Sequence, residues 1–180
     1  ERITEFKINW NIVSWPGSAW ASRVFPDLPL DQAIVKLADA IFDASRASVD
    51  DPIKAWDDHN EKLRVKTNWL NEQNFAALKY SGPNTDLTVG LAHEHEWMGG
   101  ASKSQNGIIC NPNIPSEEVF TTPHAYKVDG TVCSTKPLSY QGTLIEDIKV
   151  TFKDGKIIES SASKGEEVLH KVLNSDEGAS

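Results

Sequence analysis

Two adjacent carboxylates, Glu117 and Glu118, open a run of β-forming residues that reads Pro115-Ser116-Glu117-Glu118-Val119-Phe120-Thr121-Thr122-Pro123-His124. Neighbouring residues on a strand face opposite ways, so the two glutamates cannot share one role. Glu117 shares a face with Val119, and Glu118 shares one with Phe120. Two readings stand. One carboxylate lies on a more buried face and needs a partner, commonly a cation, or both are solvated at a strand end. A second cluster is His93-Glu94-His95-Glu96. Two histidines at i and i+2 on a strand would point the same way and could share a metal. This cluster instead follows a strand and precedes Met98-Gly99-Gly100, a surface-turn context in which polar residues are expected. His59 sits among helix-surface charges and His170 on a terminal helix, so both are expected to be solvated. Cys110 and Cys133 fall in separate strand-like stretches without a CxxC pair. They are expected to be reduced, half-buried thiols rather than zinc ligands. No HExxH, P-loop, dinucleotide fingerprint or nucleophile elbow occurs.

The whole-chain balance narrows the partners. The formal net charge of -8 argues against a nucleic-acid partner, which needs a basic face. It is compatible with cation binding and equally with plain solubility. At 39% apolar and 24% charged, with six Trp and six Phe, the composition is that of a folded globular chain. Its apolar runs are too short to span a membrane. Glu1-Arg2-Ile3-Thr4-Glu5 leads into strand-like sequence without a signal-peptide pattern.

The elements that must position these residues are expected to fall into two parts. Residues 6–13 alternate apolar and polar, which is strand period, until Pro16-Gly17. A short helix follows through Trp20 and Val24. Pro29 opens a longer one whose Leu30, Ile34, Leu37 and Ile41 share a face. Asp51-Pro52 is an N-cap followed by proline at the first helical position. The helix it starts carries Trp56, Leu63 and Leu70 and a charged outer face. From residue 74 strands dominate, with expected strands at 75–80, 87–91, 107–110, 117–122, 126–128, 131–134, 145–152 and 156–161. Asp154-Gly155 between apolar runs is the clearest hairpin signal. A helix over 165–173 closes the chain. The fold class is α+β: a helical N-terminal part, 1–73, then an antiparallel β-rich part, 74–180, with a closing C-terminal helix.

Several long stretches carry a family resemblance. They are Asn9-Trp10, Trp20-Ala21, Val24-Phe25-Pro26, residues 82–100 (GPNTDLTVGLAHEHEWMGG), 113–124 (NIPSEEVFTTPH), 134–142 (STKPLSYQG) and 174–179 (NSDEGA). Through them the chain resembles the aminopeptidase T and aminopeptidase S-like family of cocatalytic metallo-aminopeptidases. The resemblance implies soluble, homodimeric, cytoplasmic exopeptidases that remove N-terminal amino acids from peptides. They use two divalent metal ions, zinc, cobalt or manganese. The implied ligands are two glutamates, two histidines and an aspartate, with a tyrosine nearby. The first glutamate lies in the PSEEVFTTP-like motif, where alignment favours Glu118 over Glu117. The second belongs to a stretch following the NSDEGA-like segment, and the remaining groups come later still. No histidine here matches a family ligand.

On that basis Glu118 is the one expected metal ligand, and no residue of the chain is assigned a catalytic role of its own. Both ends are expected to be cut points within a longer enzyme. The chain alone is expected to fold, to bind no metal tightly and to be inactive, because one glutamate leaves a metal short of ligands. The alternative is a non-catalytic scaffold or dimerisation domain.

Overall fold

The computed structural model describes residues 2–176 and Gly178; Glu1, Glu177, Ala179 and Ser180 are outside it, so the NSDEGA-like stretch falls partly outside the described residues. The chain begins with β1 (Ile12–Val13), α1 (Ser18–Val24), α2 (Leu30–Ala44) and α3 (Pro52–Gln73). Then come β2 (Ala77–Gly82), β3 (Thr85–Leu91), β4 (Met98–Gly99), β5 (Ser102–Lys103), β6 (Ile109–Cys110), β7 (Asn113–Ile114) and β8 (Val119–Phe120). The last elements are β9 (Pro123–Cys133), β10 (Leu138–Tyr140), β11 (Thr143–Ile145), β12 (Lys149–Lys153), β13 (Lys156–Ser161) and α4 (Glu166–Leu173). This is the α+β class that the sequence predicts: helices first, antiparallel strands after, and a short closing helix.

Contacts divide the chain into two compact units. One combines the described residues of Glu1–Gln73 with Trp97–Phe120; the other combines Asn74–Glu96 with those of Thr121–Ser180. The sequence draws a single boundary after residue 73. In the structure the segment Trp97–Phe120, which contains Glu118, packs with the helices of the first unit.

In the first unit α1 packs on α2 through a small core of Ala21, Ala33 and Leu37, with Phe25, Leu28, Ile34 and Ile41 half-buried around it. Leu30, expected on that inner face, is exposed. Pro52 at the first position of α3 lacks the N–H that a helix start would leave unpaired. Asp51 Oδ1 accepts from the Lys54 backbone N–H at 2.9 Å, so the expected cap forms. The buried residues of α3 are His59, Leu63 and Thr67, one helical ridge with period four. Position 59 is thus on the inner face, which corrects the expectation that its imidazole is solvated; His59 is only 8% exposed. His170 is exposed, as expected. The alternation over 6–13 yields only the two-residue β1, which pairs in parallel with β7. Ahead of it the backbone turns, with Phe6 N–H donating to Ile3 O and Lys7 N–H to Arg2 O.

The second unit is a five-stranded antiparallel sheet in the order β13-β12-β9-β3-β2. The Asp154-Gly155 turn joins β12 to β13 as predicted, with both residues at positive φ. The two strands expected at 126–128 and 131–134 are one strand, β9, because Asp129 and Gly130 pair with Thr88 and Leu87 instead of turning. The β10–β11 hairpin turns at Gln141-Gly142. Leu87, Leu91, Ile145, Val150 and Leu169 are buried in this unit. Each such side chain contributes about 1.5–3 kcal/mol relative to exposure. Cys110 in β6 and Cys133 in β9 are free and half-buried, as expected. Among the described residues no helix is long and apolar enough to cross a membrane.

Candidate functional site

The PSEEVFTTP-like motif leaves β7 at Ile114, passes a cis Ile114-Pro115 bond, and enters β8 at Val119. Its position is set by α3. Successive turns of that helix present His59, Leu63, Thr67 and Asn71, with Asn60 beside His59. His59 Nε2 lies 2.6 Å from Ser116 O, and Nδ1 lies 3.2 Å from Arg46 Nη2. A guanidinium can only donate, so Nδ1 accepts and the Nε2–H donates to the Ser116 carbonyl. Asn60 and Asn111 exchange reciprocal carboxamide hydrogen bonds of 2.9 and 2.8 Å. Asn71 accepts from the Trp97 N–H at 2.7 Å and donates to its carbonyl at 3.1 Å. Three polar residues of one helix therefore fasten the segment Trp97–Phe120 at its start, middle and end.

Arg46 follows α2 in a left-handed conformation, φ 56°. Its guanidinium lies over the Trp56 ring, 5.4 Å from the centroid. Trp56 is itself held by a 2.8 Å bond from Nε1 to Ser45 O. From this seat Arg46 Nη1 contacts Glu117 Oε1 at 2.7 Å, while Glu117 Oε2 lies 3.6 Å from His59 Nε2. The Arg46 guanidinium beside it holds the Glu117 carboxyl below the usual glutamate range, with slight burial opposing the effect and the positive charge of Lys66 adding to it.

The two glutamates thus separate. Both are exposed, so the reading that buries one of them does not hold. Glu117 is nevertheless engaged by Arg46, whereas the carboxylate of Glu118 makes no hydrogen bond or ion pair among the described residues. Glu118 borders a groove between Ile12, Val13 and Ser14 on one side and residues 113–118 on the other. On the β4 side the backbone comes close: a Cβ built on Gly99 would sit 2.5 Å from Glu118 O and 3.1 Å from Val119 Cα. An ionised carboxylate without a partner, at the edge of a groove, is a hard oxygen donor of the kind divalent cations take. Glu118 fits such an ion as one ligand. The described residues contain no group of three or more His, Cys, Asp or Glu that could hold a metal by themselves. His93 and Glu94 form a turn, and His95 Nδ1 lies 3.0 Å from Ala92 O, so the histidine cluster sits in the turn the sequence predicts. The roles of Arg46 and His59 were hidden in the sequence. Their link to the motif spans 57 residues for His59 and Ser116, and nothing local announces it.

The chain belongs to the thermophilic metalloprotease (M29) family, whose sequence profile matches residues 1–180. Aminopeptidase T of Thermus aquaticus is 50% identical to it over 177 residues, 98% of this chain and 43% of that protein. Aminopeptidase AmpS of Bacillus subtilis (strain 168) is 42% identical over 177 residues, again 98% of this chain and 43% of the relative. The solved structure of wild-type AmpT from Thermus thermophilus is similar with a TM-score of 0.91 at 48% identity; it is covered to 43% by 98% of this chain. The chain therefore spans a little over two fifths of the length of the curated relatives it matches.

Proposed function

We propose that this chain is part of a metal-dependent aminopeptidase and that Glu118 supplies one of its metal ligands. The observation that carries the reading is the contrast within the motif: Glu117 is engaged by Arg46, and Glu118, unpaired among the described residues, stands at the groove. The aminopeptidase names of relatives 42–50% identical support the activity. When bound, two divalent ions, zinc, cobalt or manganese, would supply a nucleophilic water at neutral pH and an anchor for the free amino group of a peptide. The residues of this chain hold Glu118 in place and leave its carboxylate open. The other ligands would come from sequence outside this chain, so the 180 residues alone are proposed to be folded and inactive. A cytoplasmic location and a homodimer belong to the same reading. The exposed Ile12, Val13 and Trp15, up to 77% accessible, favour a surface that is covered in the longer protein or in its dimer. The division into a helical part, 1–73, and a β-rich part, 74–180, is retained as a proposal about how the longer protein is organised.

The test is release of p-nitroaniline from leucine p-nitroanilide with added cobalt, zinc or manganese. The longer protein is expected to turn over in a metal-dependent way and to lose that activity in Glu118→Gln. The 180-residue chain, shown folded by circular dichroism, is expected to give none. Turnover by the short chain that vanishes in Glu118→Gln would overturn the assignment of the ligands, and normal turnover by the longer Glu118→Gln protein would remove Glu118 from the site.

A further inference from the structure

The motif carries two glutamates, and a ligand role for one leaves the other unexplained. Glu117 could simply be a solvated neighbour. Three contacts argue otherwise. Arg46 reaches Glu117 from a seat on Trp56 while donating to His59, and His59 donates in turn to the backbone carbonyl of Ser116. One planar guanidinium thus holds Glu117 directly and Ser116 through His59, the two residues immediately before Glu118. His59 is buried, so its bond to Ser116 O is sheltered from water, where a hydrogen bond is hard to exchange. On the far side, Gly99 lets β4 lie against the Glu118 carbonyl more closely than any side-chain-bearing residue would. The backbone at Glu118 is therefore fixed from both sides, yet its carboxylate makes no hydrogen bond or ion pair among the described residues.

Resting on the reading of Glu118 as a metal ligand, we propose that Arg46 and His59 are positioning residues: they clamp Ser116-Glu117 so that the Glu118 carboxylate is presented to the metal without a competing partner. Glu117 is the handle for that clamp. Without Arg46, Glu117 would be released, and the freed peptide would sample orientations in which Glu118 no longer faces the ion. Groups that orient a ligand without touching the metal commonly change metal affinity about 10–100-fold when removed.

The experiment uses the longer protein and Co2+ alone, followed by visible absorption and by competition with a chelator, beside thermal unfolding by circular dichroism. Arg46→Gln and Glu117→Ala are each expected to weaken Co2+ binding about tenfold or more. The double variant should lose no more than the worse single one, because both remove the same link. Asn71→Ala is the structural control: it loosens the hold of the same helix on Trp97 and should lower the unfolding temperature without weakening Co2+ binding. Folded Arg46→Gln and Glu117→Ala proteins that bind Co2+ as the parent does, while Glu118→Gln does not, would overturn the positioning role and leave the ligand assignment intact. Equal weakening in Asn71→Ala would also overturn it, by showing that any damage to α3 suffices. A Glu118→Gln protein with unchanged Co2+ affinity and spectrum would remove the ligand assignment and the clamp with it. Should Arg46→Gln not fold, Glu117→Ala decides alone, since its exposed side chain contributes little to folding.

Discussion

A carboxylate that stabilises a fold and one that serves a reaction leave different signatures when removed. Glu118 makes no hydrogen bond or ion pair among the described residues, so Glu118→Gln should change stability by no more than about 0.5 kcal/mol, the usual range for unengaged surface positions. His59 is buried with both ring nitrogens engaged, and His59→Ala would leave the Ser116 carbonyl and the Arg46 guanidinium short of a partner. That change should cost about 1–3 kcal/mol. Urea unfolding of the two variants checks the contrast, and a Glu118→Gln protein as unstable as His59→Ala would show that Glu118 has a structural role. Asp129 in the second unit gives a prediction in pH. It accepts from the Asp154 backbone N–H at 3.1 Å and pairs with Lys153 at 3.1 Å, and both lower its pKa below the ordinary aspartate value. A depressed folded-state pKa gives stability that is present above the unfolded value, near 3.9, and fades as the pH falls through the folded one. Solvent screening of this partly exposed pair keeps the effect small. NMR titration should place the Asp129 midpoint below that of a free aspartate and move it upward in Lys153→Ala; an unmoved midpoint in that variant would leave Lys153 without a part in the shift.

Elements were legible where the signal was local. The cap at Asp51, the proline starting α3, the turn at Asp154-Gly155 and the inner face of α2 at Leu37 all depend on residues within one or two turns of each other. The failures share one cause. Alternation over 6–13 specifies a strand only if a partner is available, and just two residues find one in β7. Asp129-Gly130 has turn chemistry but is drawn into β9 by neighbours on β3. On α3 the heptad of Trp56, Leu63 and Leu70 was legible, whereas the buried ridge includes His59 and Thr67, polar residues whose partners lie elsewhere in the chain. In the motif, the pair of adjacent glutamates was legible, and the difference between them was not, because that depends on Arg46 contacting Glu117. Close backbone approach is another feature invisible to pattern. Gly99→Ala should destabilise the first unit by about 1–3 kcal/mol, since its Cβ would meet the Glu118 carbonyl. Gly82→Ala, at the end of β2 with nothing within 4 Å, should be neutral. Thermal unfolding of the pair checks this, and a harmless Gly99→Ala would mean that β4 and β8 separate easily.

At the level of the molecule, the chain passes between its two units after Gln73, after Glu96 and after Phe120. Each unit is therefore made of two separate stretches of sequence. The order of synthesis then matters. When Gln73 has been made, α3 exists but the segment it fastens does not, and its inner ridge of His59, Leu63 and Thr67 lacks the cover that this segment supplies. Strands β2 and β3 come next as a bare hairpin; the sheet they belong to grows when β9 adds beside β3 and is completed only by β12 and β13. A chain growing from the ribosome thus carries two unfinished units at once, and the first is completed only once residue 120 has emerged. Arrest of translation at successive lengths, followed by a protease pulse, should show α3 cut readily in chains stopped at residue 96 and protected in chains long enough to expose residue 120. Early protection would mean that the helices stand alone. The interlacing has an evolutionary corollary: neither unit can be exchanged for a foreign one by a single crossover, because every single cut leaves part of the other behind. Recombination would have to move the whole span at once, so relatives that differ in the remainder of their length should still inherit this stretch as one piece.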